Sequence, residues 1–172
     1  MGIAMSARLS ACGTYRWTLS RSWGQGRTVC WILLNPSTAD HARDDPTSRR
    51  VLHFTQAWGY HGLTIVNLYP FRSPRVSECR EWATGNVSPW LRRNIHHIRR
   101  EVRAADRTIA AWGNNAWDRA LVAEVVLAAT GGGGHRLECL GTTRSGAPIH
   151  PGARGSHRVP DHRMPMEWVC GG

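Results

Sequence analysis

The sequence predicts an α/β protein: a three-layer sandwich around a central, mainly parallel sheet of four strands. Three observations lead there. Short apolar runs of strand length recur at Thr28–Leu34, Leu63–Leu68, Thr108–Trp112 and Arg136–Leu140. Longer segments with helical spacing of apolar residues separate them. The near-continuous apolarity of the first two runs suits strands buried on both faces, the pattern of parallel sheets joined by right-handed crossovers.

Taken in order, residues 1–13 are expected to form a flexible N-terminus, and residues 14–172 a single domain. Tyr15–Leu19 reads as a short edge strand. Thr28–Leu34 is the first buried strand and stops at Asn35-Pro36. Asp45 as N-cap and Pro46 at the first helical position then start a helix that runs to about Trp58 and closes at Gly59. Leu63–Leu68 is the second buried strand, followed by a loop carrying Pro70, Arg72, Pro74 and Arg75. Pro89–Ala105 is a basic helix, Thr108–Trp112 a third strand broken by Gly113, and Asn114–Ala128 a further helix. Gly131–Gly134 is a turn, Arg136–Leu140 the fourth strand, and the tail from Gly141 is mostly irregular, with an edge strand near its end.

The formal charge is +10, and all 22 basic residues are arginine. Codon preference accounts for arginine over lysine but not for the excess over acids. That excess favours a polyanionic partner, nucleic acid first among them. Without lysine, imine chemistry has only the α-amine to draw on, which argues against a covalent Schiff-base mechanism. The 5 cysteines are scattered and unpaired in spacing, as expected of reduced thiols rather than a disulfide framework or an iron–sulfur cluster. No stretch has the length and apolarity of a membrane span, and Met1–Gly13 lack a signal-peptide layout, so a cytoplasmic location is expected.

Ligand crevices in open parallel sheets lie beyond the carboxyl ends of the strands. Here those ends carry Asn35, Asn67, Gly113-Asn114-Asn115 and, after the fourth strand, His150-Pro151. An amide both donates and accepts, so Asn67 suits the edge of a nucleobase, and Asn35 suits a water molecule. Each amide is also an ordinary loop or helix cap. His150, His157 and His162 match no ordinary metal spacing, and no metal is expected.

Taken together, these fragments resemble the uracil-DNA glycosylase superfamily. Leu33-Leu34-Asn35-Pro36-Ser37 matches its water-activating motif, Ile65-Val66-Asn67-Leu68 with Arg72 its second-strand motif, Trp112-Gly113-Asn114-Asn115-Ala116 its third, and His150-Pro151-Gly152 its closing His-Pro-Ser motif. The chain looks closer still to a bacterial and phage family catalogued as a domain of unknown function, through Leu34–Asp40, Asp44–Thr47 and Trp58-Gly59-Tyr60. The first resemblance implies a glycosylase-like fold and a monofunctional DNA glycosylase that needs no cofactor and binds DNA, the chain being expected to act as a monomer. Asn35 would orient the attacking water, and Asn67 would read a flipped base. His150 would donate a hydrogen bond to the leaving base. An amide cannot accept a proton, which leaves that task to Asp40, Asp44 or Asp45, the last already engaged as a cap. Tyr69, Phe71 and Phe54 are the candidates for stacking on the base. Arg72, Arg75, Arg154 and Arg158 are the candidate phosphate contacts. The loop Gly152–Arg158 departs from the family in offering Ala153 and Arg154 where an apolar wedge is usual. An enzyme of free nucleotides or nucleosides and a non-catalytic reader of modified DNA bases are the rival readings.

Overall fold

In the order of the sheet, the strands begin and end with antiparallel additions to a parallel centre. The computed structural model describes residues 2–131 and 136–168. Its strands are β1 (Ala4–Leu9), β2 (Arg16–Ser22), β3 (Thr28–Leu33), β4 (Gly62–Asn67), β5 (Arg107–Ala110), β6 (Leu137–Cys139) and β7 (Met166–Glu167). Its helices are α1 (Pro46–Ala57), α2 (Val76–Trp82), α3 (Ser88–Ala104) and α4 (Arg119–Thr130). The sheet has 7 strands in the order β1-β2-β4-β3-β5-β6-β7. The four in the middle are parallel, with Ile32 opposite both Val66 and Ala110, while β2 and β7 run antiparallel to their neighbours.

The alternation of side chains along β3 divides the core. Cys30 and Ile32 face one side with Val66 and Ala110, under Ile95, Ile98 and Val102 of α3 and Leu121 and Val125 of α4. Val29, Trp31 and Leu33 face the other with Leu63 and Ile65, under Val51 and Phe54 of α1. Helices therefore cover both faces, and each strand of the centre is buried on both, which is why those runs read as continuously apolar.

The four anticipated parallel strands are present, but the sheet is wider than four. Tyr15–Leu19 is not an edge: β2 starts at Arg16, runs to Ser22 and is flanked by β1 and β4. The supposedly flexible N-terminus supplies β1, whose residues pair from Ala4–Ser22 to Leu9–Arg16. It alternates only between exposed Ala4, Ser6 and Arg8 and half-buried Met5, Ala7 and Leu9, too weak a contrast to stand out in the sequence. Asp45 caps α1 as expected, accepting from the Ser48 amide while the Ser48 hydroxyl accepts from Asp45, and Gly59 leaves the helix at φ +77°. α4 starts at Arg119 rather than near Asn114, because Asp118 is its N-cap. α2 follows the loop of Pro70–Arg75, in a stretch for which the sequence signals no element. The turn at Gly131–Gly134 falls mostly outside the described residues. No described helix is long and apolar enough to cross a membrane.

Candidate functional site

β3 is followed in the chain by its neighbour on one side, β4, and then by its neighbour on the other, β5. The crossovers leave in opposite directions at the end of β3, and a crevice opens there, as expected of such a switch point. Its volume is about 450 Å3, within the range of small-molecule sites.

Asn35 sits at the end of β3 with its amide oriented by two carbonyls. Nδ2 donates to Pro36 O at 3.1 Å and to Ser73 O at 2.9 Å. Both N–H groups are thereby used, and Oδ1 is left as an acceptor. His150 comes from the opposite end of the chain. The hairpin joining Gly141 to Ile149 delivers it, and Gly113 N–H donates to Pro148 O to hold that hairpin against the end of β5. Gly113 has φ +75°, and a Cβ there would lie 3.2 Å from His150 Cβ. A glycine is needed for both reasons.

The backbone N–H of Gly152 donates to His150 Nδ1 at 3.1 Å. An accepting Nδ1 places the ring proton on Nε2, so neutral His150 is a donor through that atom. Burial lowers its pKa, while the carboxylate of Asp45 pulls the other way. Asn114 is set in the same manner as Asn35 but with the opposite outcome. Its Oδ1 accepts from the hydroxyls of Thr143 (2.7 Å) and Ser145 (2.8 Å), so its Nδ2 is the group left to donate. Asn115 lines the crevice beside it, and Thr47 and Arg154 stand on the far wall.

The other anticipated residues lie elsewhere. Asn67 is 1% exposed, and its Oδ1 accepts from Arg16 Nη2 at 3.4 Å beneath the crevice instead of lining it. Tyr69 is buried and stacks on Trp117 at 4.3 Å. Phe71 stacks on Trp82 at 5.3 Å, and Phe54 is fully buried beside Trp31 on the inner face of α1. None of these three rings lines the crevice. Asp40 Oδ1 accepts from the amides of Ala42 and Arg43, which holds its pKa below the usual carboxylate value. Asp44 pairs with the buried guanidinium of Arg21 at 2.8 Å. Arg72 donates to Gly13 O and Arg75 pairs with Glu78. Arg154 and Arg158 are exposed, and both border a shallow groove that adjoins the crevice.

Sequence reading therefore brought Asn35, His150, Arg154 and the Asn114-Asn115 strand exit to one place and missed Thr47 as a lining residue. Nothing local in the sequence links that Asn-Asn pair to Thr143 and Ser145. Among the described residues, no group of three His, Cys, Asp or Glu side chains is arranged to hold a metal ion. No curated protein and no solved structure matches the chain. A family model does match it, over residues 16–152, from β2 through the crevice to Gly152. By that match the chain belongs to the protein family of unknown function DUF1643.

Proposed function

We propose that this protein hydrolyses the N-glycosidic bond of a damaged or modified base in DNA, on a uracil-DNA glycosylase-like fold. The observation that carries the reading is that Asn35 and His150, far apart in the chain, line one crevice with opposite hydrogen-bonding roles already set. Asn35 Oδ1 accepts from a water and directs its lone pair at C1′. The new C1′–O bond forms as the C1′–N bond breaks, and the bonding pair leaves with the base. His150 Nε2–H donates to a base oxygen as negative charge collects there, a stabilisation the neutral ring supplies because Gly152 N–H occupies Nδ1. Base reading passes from Asn67 to Asn114, whose Nδ2 is held as a donor, and to Asn115. The exposed guanidinium groups of Arg154 and Arg158 suit the flanking phosphates. Because the chain has no lysine, excision is monofunctional, and abasic DNA is not cut through a borohydride-trappable adduct.

One observation favours a free nucleotide or nucleoside as substrate instead. The arginine-rich end of α3 lies at the opposite end of the parallel strands, where Asp106 N–H bonds Thr28 O at the start of β3. It is therefore not beside the crevice. Incubation with oligonucleotides carrying uracil, hypoxanthine or modified pyrimidines, in parallel with the matching nucleosides and nucleotides, separates the readings by mass spectrometry of released base. Release from DNA that Asn35→Ala and His150→Ala reduce about 100-fold or more supports the proposal. Release from the monomers alone supports the second reading. Salt-dependent DNA binding without release marks a non-catalytic reader.

A further inference from the structure

Beneath the crevice lies a separate cavity of about 40 Å3, bounded by Arg16, Asn35, Asp45, Thr47, Ser48 and His150 among others. About 10–15 Å3 of such volume accommodates one water, so the chamber takes one to three. Its lining is polar on several sides, and two of its charged groups are only partly satisfied. Arg16 is 3% exposed. Its Nη1 donates to Ala39 O at 2.7 Å and its Nη2 to Asn67 Oδ1, whereas the buried Nε has no partner among the described residues. Asp45 is 8% exposed and spends Oδ1 on the Ser48 amide at 2.7 Å, with Oδ2 making no hydrogen bond among the described residues. A buried N–H donor and a carboxylate oxygen free of protein partners, on the two residues that border one small cavity, call for a molecule that accepts from the first and donates to the second.

We propose that the chamber is a built water site held by Arg16 Nε–H and Asp45 Oδ2, and that Asp45 takes the proton when its water attacks the sugar. The proposal rests on the hydrolase reading above. It supplies the proton acceptor that Asn35 cannot be. Water oxygen bonds to C1′, the base leaves with the C–N electron pair, and the water's proton passes to Asp45 Oδ2 and then to solvent. Asp40 and Asp44 border neither the crevice nor the chamber, being held by the Ala42 and Arg43 amides and by Arg21. The charged groups facing Asp45 are Arg16 on β2 and His150 after the hairpin. Arg16 is in turn surrounded by Asp40, Arg21 and Arg72, and burial draws its pKa down to about 10, so it stays a cation at any working pH. Arg16 is thus a positioning residue: it holds the water from which Asp45 accepts.

A crystal structure of the full chain at a resolution that shows ordered water tests the site itself. A water within hydrogen-bonding distance of both Arg16 Nε and Asp45 Oδ2 supports it; a dry chamber, or an Arg16 Nε bonded to a protein acceptor, overturns it. The chemical role is tested on whichever oligonucleotide of the panel releases a base. Asp45→Asn, which keeps the helix cap, should lower kcat about 100- to 10,000-fold with little change in KM. Arg16→Gln should likewise lower kcat while KM is little changed. A wild-type rate in Asp45→Asn overturns the role. If no oligonucleotide releases a base, it is the hydrolase reading that fails, while the water site is still decided by crystallography.

Discussion

His97 on α3 lies flat against Trp17 of β2, ring centres 5.4 Å apart and planes 18° from parallel. It is 6% exposed, and its Nδ1 has no hydrogen-bond partner among the described residues. Burial, with Arg100, Arg8, His96 and Arg93 around it, lowers its pKa from 6.5 to about 4. Between those two values the unfolded chain binds the proton and the folded chain does not. Stability is therefore level above about pH 6.5 and falls as the pH drops towards 4. The loss attributable to this one group is at most about 3 kcal/mol. Urea unfolding of the His97→Phe protein should show a shallower decline over that interval, because the ring stack survives and the titration does not. An unchanged slope would assign the acid sensitivity to other groups.

The segment between β3 and α1 has no regular structure, yet one side chain of β2 holds it in place. Arg21 donates from Nε and Nη2 to Asp44 Oδ1 at 3.0 and 2.8 Å, and from Nη2 to Asp40 O at 2.7 Å. Removing one partner of a pair this buried leaves the other uncompensated, so Arg21→Met should cost about 3–5 kcal/mol in chemical denaturation. Hydrogen exchange at Ala42 and Arg43, whose amides rest on Asp40, should accelerate with it. A loss below about 1 kcal/mol would show that the segment holds itself. Arg21 also marks the limit of what was legible. Apolar runs, the Asp45-Pro46 start and the Gly59 stop identified β3, α1, β4, α3 and β5, because each is a local pattern. β1 escaped since its partner, not its composition, makes it a strand. The same division applies to the crevice. Asn35 and His150 were readable as strand-end polar residues, whereas the inward turn of Asn67 towards Arg16 depends on a neighbouring strand. A charged residue in a strand reads as outward-facing, and only the fold reveals that Arg16 and Arg21 point in.

Positive charge is spread over the whole molecule, but its use should be uneven. Arg99, Arg100 and Arg103 border a groove with His96 and Leu127 on α3 and α4, at the end of the strands away from the crevice. Arg154 and Arg158 border the crevice side. Replacing Arg154 and Arg158 together by glutamine should raise KM for DNA about 10-fold and flatten the dependence of log affinity on log salt by about 1–2. The triple change of Arg92, Arg99 and Arg103 to glutamine should alter KM less than about twofold. The reverse ranking, measured by titration at several salt concentrations, would relocate the DNA to the α3 face. The crevice joins an asparagine near the start of the chain to a histidine near its end. Synthesis proceeds at about 5–20 residues per second, so a ribosome exposes Asn35 on the order of ten seconds before His150. Until then the Asn35 side of the crevice is without its donor. On the mechanism proposed here, a copy that has Asn35 but not yet His150 has no means of stabilising a departing base, and the capacity to damage intact DNA arrives only with the second of the two.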